Sequence, residues 1–205
     1  MDVRSHWDTI FATKPSTKLG WFQPHLRNSL DLIEQAHLGA TSPIIDIGSG
    51  DSTLVDDLIA HGYEDLTVLD ISPSALAKAK SRLGPEARKV RWIEGDILEV
   101  ALPQHRFDLW HDRALFHFLI SEQDRTKYAN RLLASLAPSG RVVLATFAPD
   151  GPTECSGLPA RRYSPADMLK ELGEGFQIEA SSYEEHTMPS GARQKFAYTM
   201  LRLRG

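Results

Sequence analysis

Short apolar runs alternate along this chain with segments whose apolar positions recur every three to four residues. Ile44–Ile47, Leu66–Leu69, Val90–Ile93, Phe107–Trp110 and Arg141–Phe147 have the first pattern and predict buried strands. Helices are predicted between them. Leu54 to His61 is closed by Gly62, and "SPSALAKAKSRLGP" has Ser72 as N-cap, Pro73 at its first position and Gly84-Pro85 at its exit. Ser121 with Asp124 three residues on opens a helix running to about Ala137, and "PSG" then turns the chain into the fifth strand. Upstream, "WFQPHLRNSLDLIEQAHLG" predicts a helix started at Pro24, carried by Leu26, Leu30 and Ile33, and ended at Gly39. Residues 1–20 mix aromatics with "ATKPSTKLG" and predict an arm that is mobile or ordered by a ligand. Downstream, Ser164-Pro165 starts a short helix ending near Gly173, and "FQIEASSYEEHTM", "PSGAR" and "QKFAYTMLRLR" predict two antiparallel strands around a turn.

Five strand–helix units followed by a hairpin imply an α/β, doubly wound, mostly parallel sheet with helices on both faces. The expected organisation is an N-terminal arm and helix over residues 1–38, a candidate lid, and a ligand-binding domain over 39–205. At 205 residues, 41% hydrophobic and 24% charged, the chain suits one domain. Net charge is −4 and no Lys/Arg run reaches five residues, so nucleic acid is not the expected partner. Cys155 is the one cysteine, which excludes an intramolecular disulfide and a multi-thiolate metal site. No signal-peptide h-region or membrane-length apolar run is present, and the expectation is a soluble, cytoplasmic protein, monomeric or homodimeric.

The chemistry is expected at the carboxyl ends of the strands, where such sheets bind ligands. Gly48 and Gly50 stand where the first strand turns into its helix, in "PIIDIGSGDSTLVDDLIA". Glycines so placed serve a tight turn, a phosphate cradle, or both. The flanking acids decide between ligands. A pyrophosphate here would meet Asp46 and Asp51, each repulsion costing about 3–4 kcal/mol at 4–6 Å and an effective dielectric near 20. Thr53 also stands where a dinucleotide fingerprint has its third small residue. A cationic, phosphate-free ligand such as S-adenosylmethionine reverses the sign. Asp70, 20 residues after Gly50, can accept from both ribose hydroxyls, and Asp96 can take an adenine amino group while Ile97 packs on the ring.

"IIDIGSG", "VLDIS", "EGDIL", "FDLWHDRALFHF" and "LAPSGRVVLATF" together resemble the successive motifs of the class I S-adenosylmethionine-dependent methyltransferases, from about residue 40 to 148. The resemblance implies a seven-stranded sheet of order 3-2-1-4-5-7-6 with strand 7 antiparallel, S-adenosylmethionine as cofactor and S-adenosylhomocysteine as product, and no metal. It places Asp46, Gly48, Ser49 and Gly50 at the methionine moiety, Asp70 and Ile71 at the ribose, Asp96 and Ile97 at the adenine, and His111 beside the cofactor.

Methyl transfer needs alignment and exclusion of water, and a base only when the nucleophile arrives protonated. The end of the fourth strand supplies candidates. His111 can act as base or line the cofactor pocket, Asp112 can orient an amine, assist as base or cap the next turn, and Arg113 can bind a carboxylate or hold Asp112. Trp21, Phe22 and Gln23 are candidate lid or substrate residues, with Arg162 on the loop after the fifth strand. The expected function is methyl transfer to a small-molecule acceptor. A protein-lysine methyltransferase, a non-catalytic cofactor-binding protein and a nicotinamide-dependent oxidoreductase are the alternatives.

Overall fold

In the computed structural model of the chain, which describes residues 2–204, the alternation read from the sequence becomes a single twisted sheet. Its elements run α1 (Val3–Thr13), α2 (Arg27–Gln35), β1 (Ile44–Ile47), α3 (Leu54–Ala60), β2 (Leu66–Asp70), α4 (Pro73–Leu83), β3 (Val90–Glu94), β4 (Phe107–Arg113), α5 (Glu122–Ser135), β5 (Leu136–Phe147), β6 (Glu154–Cys155), β7 (Leu158–Pro159), α6 (Pro165–Leu172), β8 (Phe176–Thr187) and β9 (Arg193–Leu203). Strand order is β3-β2-β1-β4-β5-β9-β8, and β9 runs antiparallel to both its neighbours. That is the expected topology; β6 and β7 form a separate hairpin and shift the numbering by two. The order reverses between β1 and β4, so their carboxyl ends splay open a crevice there. Among the described residues no helix is long and apolar enough to cross a membrane.

Side-chain alternation divides the sheet into two apolar layers. Ile44, Leu109 and Val143 pack against Leu32 and Ile33 of α2 and Leu54 and Leu58 of α3. Ile45, Trp110 and Val142 pack on the opposite face against Tyr128 and Leu132 of α5 and Met168 of α6.

Several local expectations are corrected. The first twenty residues hold α1, whose start is fixed by the Asp2 carboxylate accepting from Arg4 and Ser5 N–H and whose Trp7, Ile10 and Phe11 form one inward stripe. Pro24 lies in a loop instead of opening a helix, because Thr53 Oγ1 donates to the Gln23 and Pro24 carbonyls and holds them outside α2. His37, with φ 50°, turns the chain after α2 before Gly39 is reached. "PSG" lies within β5 as an irregularity in its pairing with β4, with Ser139 at φ 61°, so that strand is five residues longer than expected. The Ser156-Gly157 turn, both residues at positive φ, closes the hairpin of β6 and β7.

The end of β4 is anchored beneath the sheet. Asp112 is fully buried on the α5 side, accepting from Tyr128 Oη at 2.6 Å, Leu115 N at 2.9 Å and Phe116 N at 3.3 Å, while Trp110 Nε1 donates to Tyr128 Oη at 2.9 Å. Burial pushes its carboxyl from the ordinary 3.8 up to about 6, against the pull of those donors. The folded chain therefore holds a proton between about pH 4 and 6 that the unfolded chain has lost, and this group's contribution to stability falls as pH rises through that window. Asp112→Asn has no such dependence. Its stability relative to wild type, measured by urea unfolding, is expected to shift in the variant's favour by about 2 kcal/mol between pH 4.5 and 7.5; a pH-independent difference contradicts the buried carboxyl.

Candidate functional site

The loop after β1 carries Gly48 at φ 61° and Gly50 at φ 56°. Both conformations suit glycine, and a Cβ on Gly50 would lie 2.7 Å from Phe11 Cζ of α1. The loop spends its own donors: Gly48 N and Ser49 N donate to the Leu69 carbonyl at 2.8 and 3.3 Å, and Gly50 N donates to Asp70 Oδ2 at 2.7 Å. Asp70 Oδ1 accepts from Ser72 N at 2.8 Å. Only 4% exposed, Asp70 has its carboxyl pushed up to about 6, by burial first and by the nearby Asp46 and Asp51 carboxylates, against the two backbone donors. Ser72 caps α4 and donates through Oγ to Asp8 Oδ1 at 2.7 Å; Ser74 N donates to the same oxygen at 2.9 Å. With the Arg4–Glu94 ion pair, these bonds lay α1 across the ends of β2 and β3.

Asp46, at the end of β1, is buried and 2.6 Å from His111 Nδ1, whose Nε2 lies 2.8 Å from Ser29 Oγ of α2. Both ring nitrogens are thus engaged. His111 and Asp112 are adjacent in a strand and face opposite sides of the sheet, so they do not act on one substrate atom. Arg113 returns to the His111 side. Its Nε donates to Tyr198 Oη at 2.9 Å, Nη1 donates to the Trp21 carbonyl at 3.1 Å, and the guanidinium sits 4.7 Å over the Phe196 ring.

One cavity of about 830 Å³, counted with its open mouth, runs along these strand ends. Of the residues expected at a site, Asp46, Gly48, Ser49, Gly50, Asp70, Ile71, His111, Arg113 and Trp21 line it. Trp7, Phe11 and Phe118 add an aromatic wall, with Trp7 and Phe118 ring centroids 5.0 Å apart. Asp112 lies outside, and so do Asp96 and Ile97. One Asp96 oxygen accepts from Leu98 N at 2.8 Å and Ile97 is packed in the core. Phe22 and Gln23 line an adjoining cleft, where Gln23 Nε2 donates to Glu184 Oε1 at 2.8 Å. Arg162 is exposed beyond both. Asp51 is buried against Ser16 and lines the cleft, not the main cavity.

His117, Phe147, Gln194 and Phe196 also line the main cavity and are among the residues that escaped the sequence reading as site candidates. His117 is fully buried, its Nδ1 accepts from Phe147 N at 3.3 Å, and its ring stacks on Phe147 at 4.4 Å. Burial, with the Arg113 charge beside it, pushes its imidazole down to about 3. Gln194 and Phe196 start β9, and only the antiparallel return of that strand along β5 brings them here. Cys155 reaches the cavity from the β6–β7 hairpin, with its thiol pKa raised by burial. Among the described residues no group of three or more His, Cys, Asp or Glu side chains is placed to hold a metal ion.

Comparison with known proteins agrees with this geometry. Residues 44–140 match the methyltransferase domain family. The chain is 23% identical over 192 residues to EEF1A lysine methyltransferase 2 of Mus musculus, covering 87% of this chain and 73% of that one. It is also 23% identical over 142 residues to the eEF1A lysine and N-terminal methyltransferase of Mus musculus; that covers 67% of this chain and spans about a fifth (19%) of the relative's length. Among solved structures, the 1,6-didemethyltoxoflavin-N1-methyltransferase of Burkholderia thailandensis, with S-adenosylhomocysteine bound, superposes with a TM-score of 0.71 at 19% identity, covering 99% of this chain and 88% of that one. Sheet order, the carboxylate-lined cavity at its switch point and the methyltransferase-domain match over residues 44–140 support a class I, Rossmann-like S-adenosylmethionine-dependent methyltransferase.

Proposed function

We propose that the protein moves a methyl group from S-adenosylmethionine to a small-molecule acceptor held in the cavity. The observation carrying most weight is the state of the glycine loop: three successive N–H groups are already satisfied internally, and the side chains presented beside them are the carboxylates Asp46 and Asp70. A phosphate needs free N–H groups and positive charge at this point. A sulfonium and an α-ammonium need what is here. Asp46, Gly48, Ser49 and Gly50 then hold the methionine end and Asp70 with Ile71 the ribose; Asp96, outside the cavity and farther along the strand ends, is the adenine-side acceptor, with Ile97 packed in the core.

When bound, the cofactor supplies a methyl group already activated on sulfur. The chain's own part is to orient and to keep water out. His111, tied at both nitrogens, fixes the Asp46 carboxylate instead of accepting a proton from substrate. Asp112, on the far side of the sheet, holds the turn that carries Leu115 and His117. Arg113 and Trp21 wall the acceptor side. Residues 1–38 act as a lid: α1 contributes Trp7 and Phe11 to the cavity wall and is latched by Asp8 to the start of α4. A cavity so roofed favours a small acceptor; the similar Burkholderia thailandensis methyltransferase holds a small molecule, 1,6-didemethyltoxoflavin. The similarity to lysine methyltransferases over most of the chain supports a protein-lysine acceptor as second reading. Release of S-adenosylhomocysteine, measured across small molecules and lysine peptides, separates the two and also tests turnover; no release with either class overturns both.

Two results are expected for cofactor binding. Asp70→Asn is expected to weaken S-adenosylhomocysteine binding by about 10- to 100-fold, the loss of charge-assisted hydrogen bonds. Wild-type affinity is expected to fall as pH drops through about 6, where the Asp70 carboxyl of the free protein takes up a proton, and the variant's affinity to stay flat. Calorimetry checks both, and an Asp70→Asn affinity within twofold of wild type contradicts the assignment. Deleting residues 1–22 is expected to weaken binding at least tenfold while cooperative unfolding persists. Unchanged affinity removes the lid.

A further inference from the structure

The cavity has two chemically unlike halves. Over β1 and β2 it presents the carboxylates of Asp46 and Asp70. Over β4, β5 and β9 it presents Arg113, His117 and Gln194 among the aromatic rings of Phe147 and Phe196, and no lining residue of that half is acidic. All three polar side chains carry a buried atom that has no hydrogen-bond partner: Arg113 Nη2, His117 Nε2 and Gln194 Oε1. Buried polar atoms are rarely left so, and three converging on one cavity mark a missing ligand.

Their chemistry reads directly. Because His117 Nδ1 accepts from Phe147 N, the imidazole proton sits on Nε2, which is therefore a free donor. Its pKa, lowered by burial and by Arg113, keeps the ring uncharged. Arg113 is a permanent cation with 5% side-chain exposure. Glu184 stands behind it, 4.0 Å from Nη2 and beyond hydrogen-bonding distance, with its two oxygens already accepting from Gln23 Nε2 and Tyr198 Oη. The half-cavity thus offers one charged and one neutral donor with one acceptor amide, beside the Phe147 and Phe196 rings, which pack on each other at 5.0 Å.

We infer that the acceptor half of the cavity is an anion subsite, built by Arg113 and His117 for an anionic oxygen on a small aromatic molecule, with Gln194 Oε1 taking an O–H or N–H of the same molecule. This rests on the methyltransferase reading and names the substrate class within it. It also explains the lack of a base. The ring nitrogens of His111 are both engaged, Asp112 faces away, and Nδ1 of His117 is occupied. An anionic nucleophile brings its own lone pair, which forms the bond to the methyl carbon as the carbon–sulfur bond breaks and its electron pair passes to sulfur. Anion and sulfonium become a neutral methylated product and a thioether, and no proton has to be removed. An alkylammonium acceptor such as lysine would have to lose a proton beside a buried guanidinium, with no carboxylate in that half to receive it.

The test uses protein saturated with S-adenosylhomocysteine and a matched pair of probes, 4-hydroxybenzoate and 4-hydroxybenzylamine, titrated by calorimetry. The carboxylate is expected to bind at least tenfold more tightly than the amine. Gln194→Glu, nearly isosteric, places a carboxylate in the subsite and is expected to reverse or abolish that preference, an outcome that loss of packing alone does not produce. His117→Phe, which keeps a stacking ring, is expected to weaken 4-hydroxybenzoate at least fivefold. Equal binding of the two probes, tighter binding of the amine, failure of 4-hydroxybenzoate to bind, or a Gln194→Glu preference unchanged from wild type overturns the subsite. The same experiment first titrates S-adenosylhomocysteine into each protein. Failure at that stage counts against the cofactor assignment, whereas normal cofactor binding without anion preference counts against the subsite alone.

Discussion

Two carboxylates buried at the mouth of a parallel sheet must each find donors, and the way Asp46 and Asp70 find theirs organises the site. Asp70 takes Gly50 N and Ser72 N, which pins the glycine loop in its left-handed conformation and sets the first turn of α4. Asp46 takes His111, and through it Ser29, which keys β1 to β4 and both to α2. Ser72 passes the connection to Asp8, so that the N-terminal helix lies over the same strand ends. An anion here would add charge to a surface already short of donors. A cationic ligand relieves that surface, where burial first and the neighbouring carboxylates after it raise the Asp70 pKa.

The alternation of β4 then divides labour among three consecutive residues. His111 and Arg113 face the cavity, His111 in its carboxylate-lined half and Arg113 in the half walled by Phe147 and Phe196. Asp112 points into the α5 layer and holds the following turn by two backbone N–H groups. That turn carries His117 back onto Phe147, beside the aromatic half of the cavity. A change at Asp112 therefore reaches the cavity through backbone geometry, while changes at its neighbours reach it through charge.

The topology was legible because parallel strands buried on both faces are short and apolar, and because most exits other than that of β4 are punctuated by Gly, Pro or a capping Ser. The carboxylate-lined half of the cavity was legible for a related reason: its residues sit within a few positions of a strand end, where local sequence places them. The failures have local causes too. Trp7, Ile10 and Phe11 are spaced as one helix stripe behind an Asp cap, a signal masked by the polar residues after Thr13. The apolar run predicts the fourth strand only to Trp110, whereas the strand continues to Arg113, so that His111 and Asp112 diverge. Gln194 and Phe196 left no such trace. They enter the site by pairing across roughly fifty residues of chain, and nothing near them in the sequence distinguishes them from an edge of a hairpin.

The account stands on the claim that the crevice between β1 and β4 is built for a positively charged nucleoside without phosphate. Competition calorimetry with S-adenosylmethionine, S-adenosylhomocysteine and NAD addresses it directly. Saturable binding of the first two, unaffected by NAD in large excess, is the predicted result. Binding of NAD at the same site, displaced by S-adenosylmethionine, would contradict it.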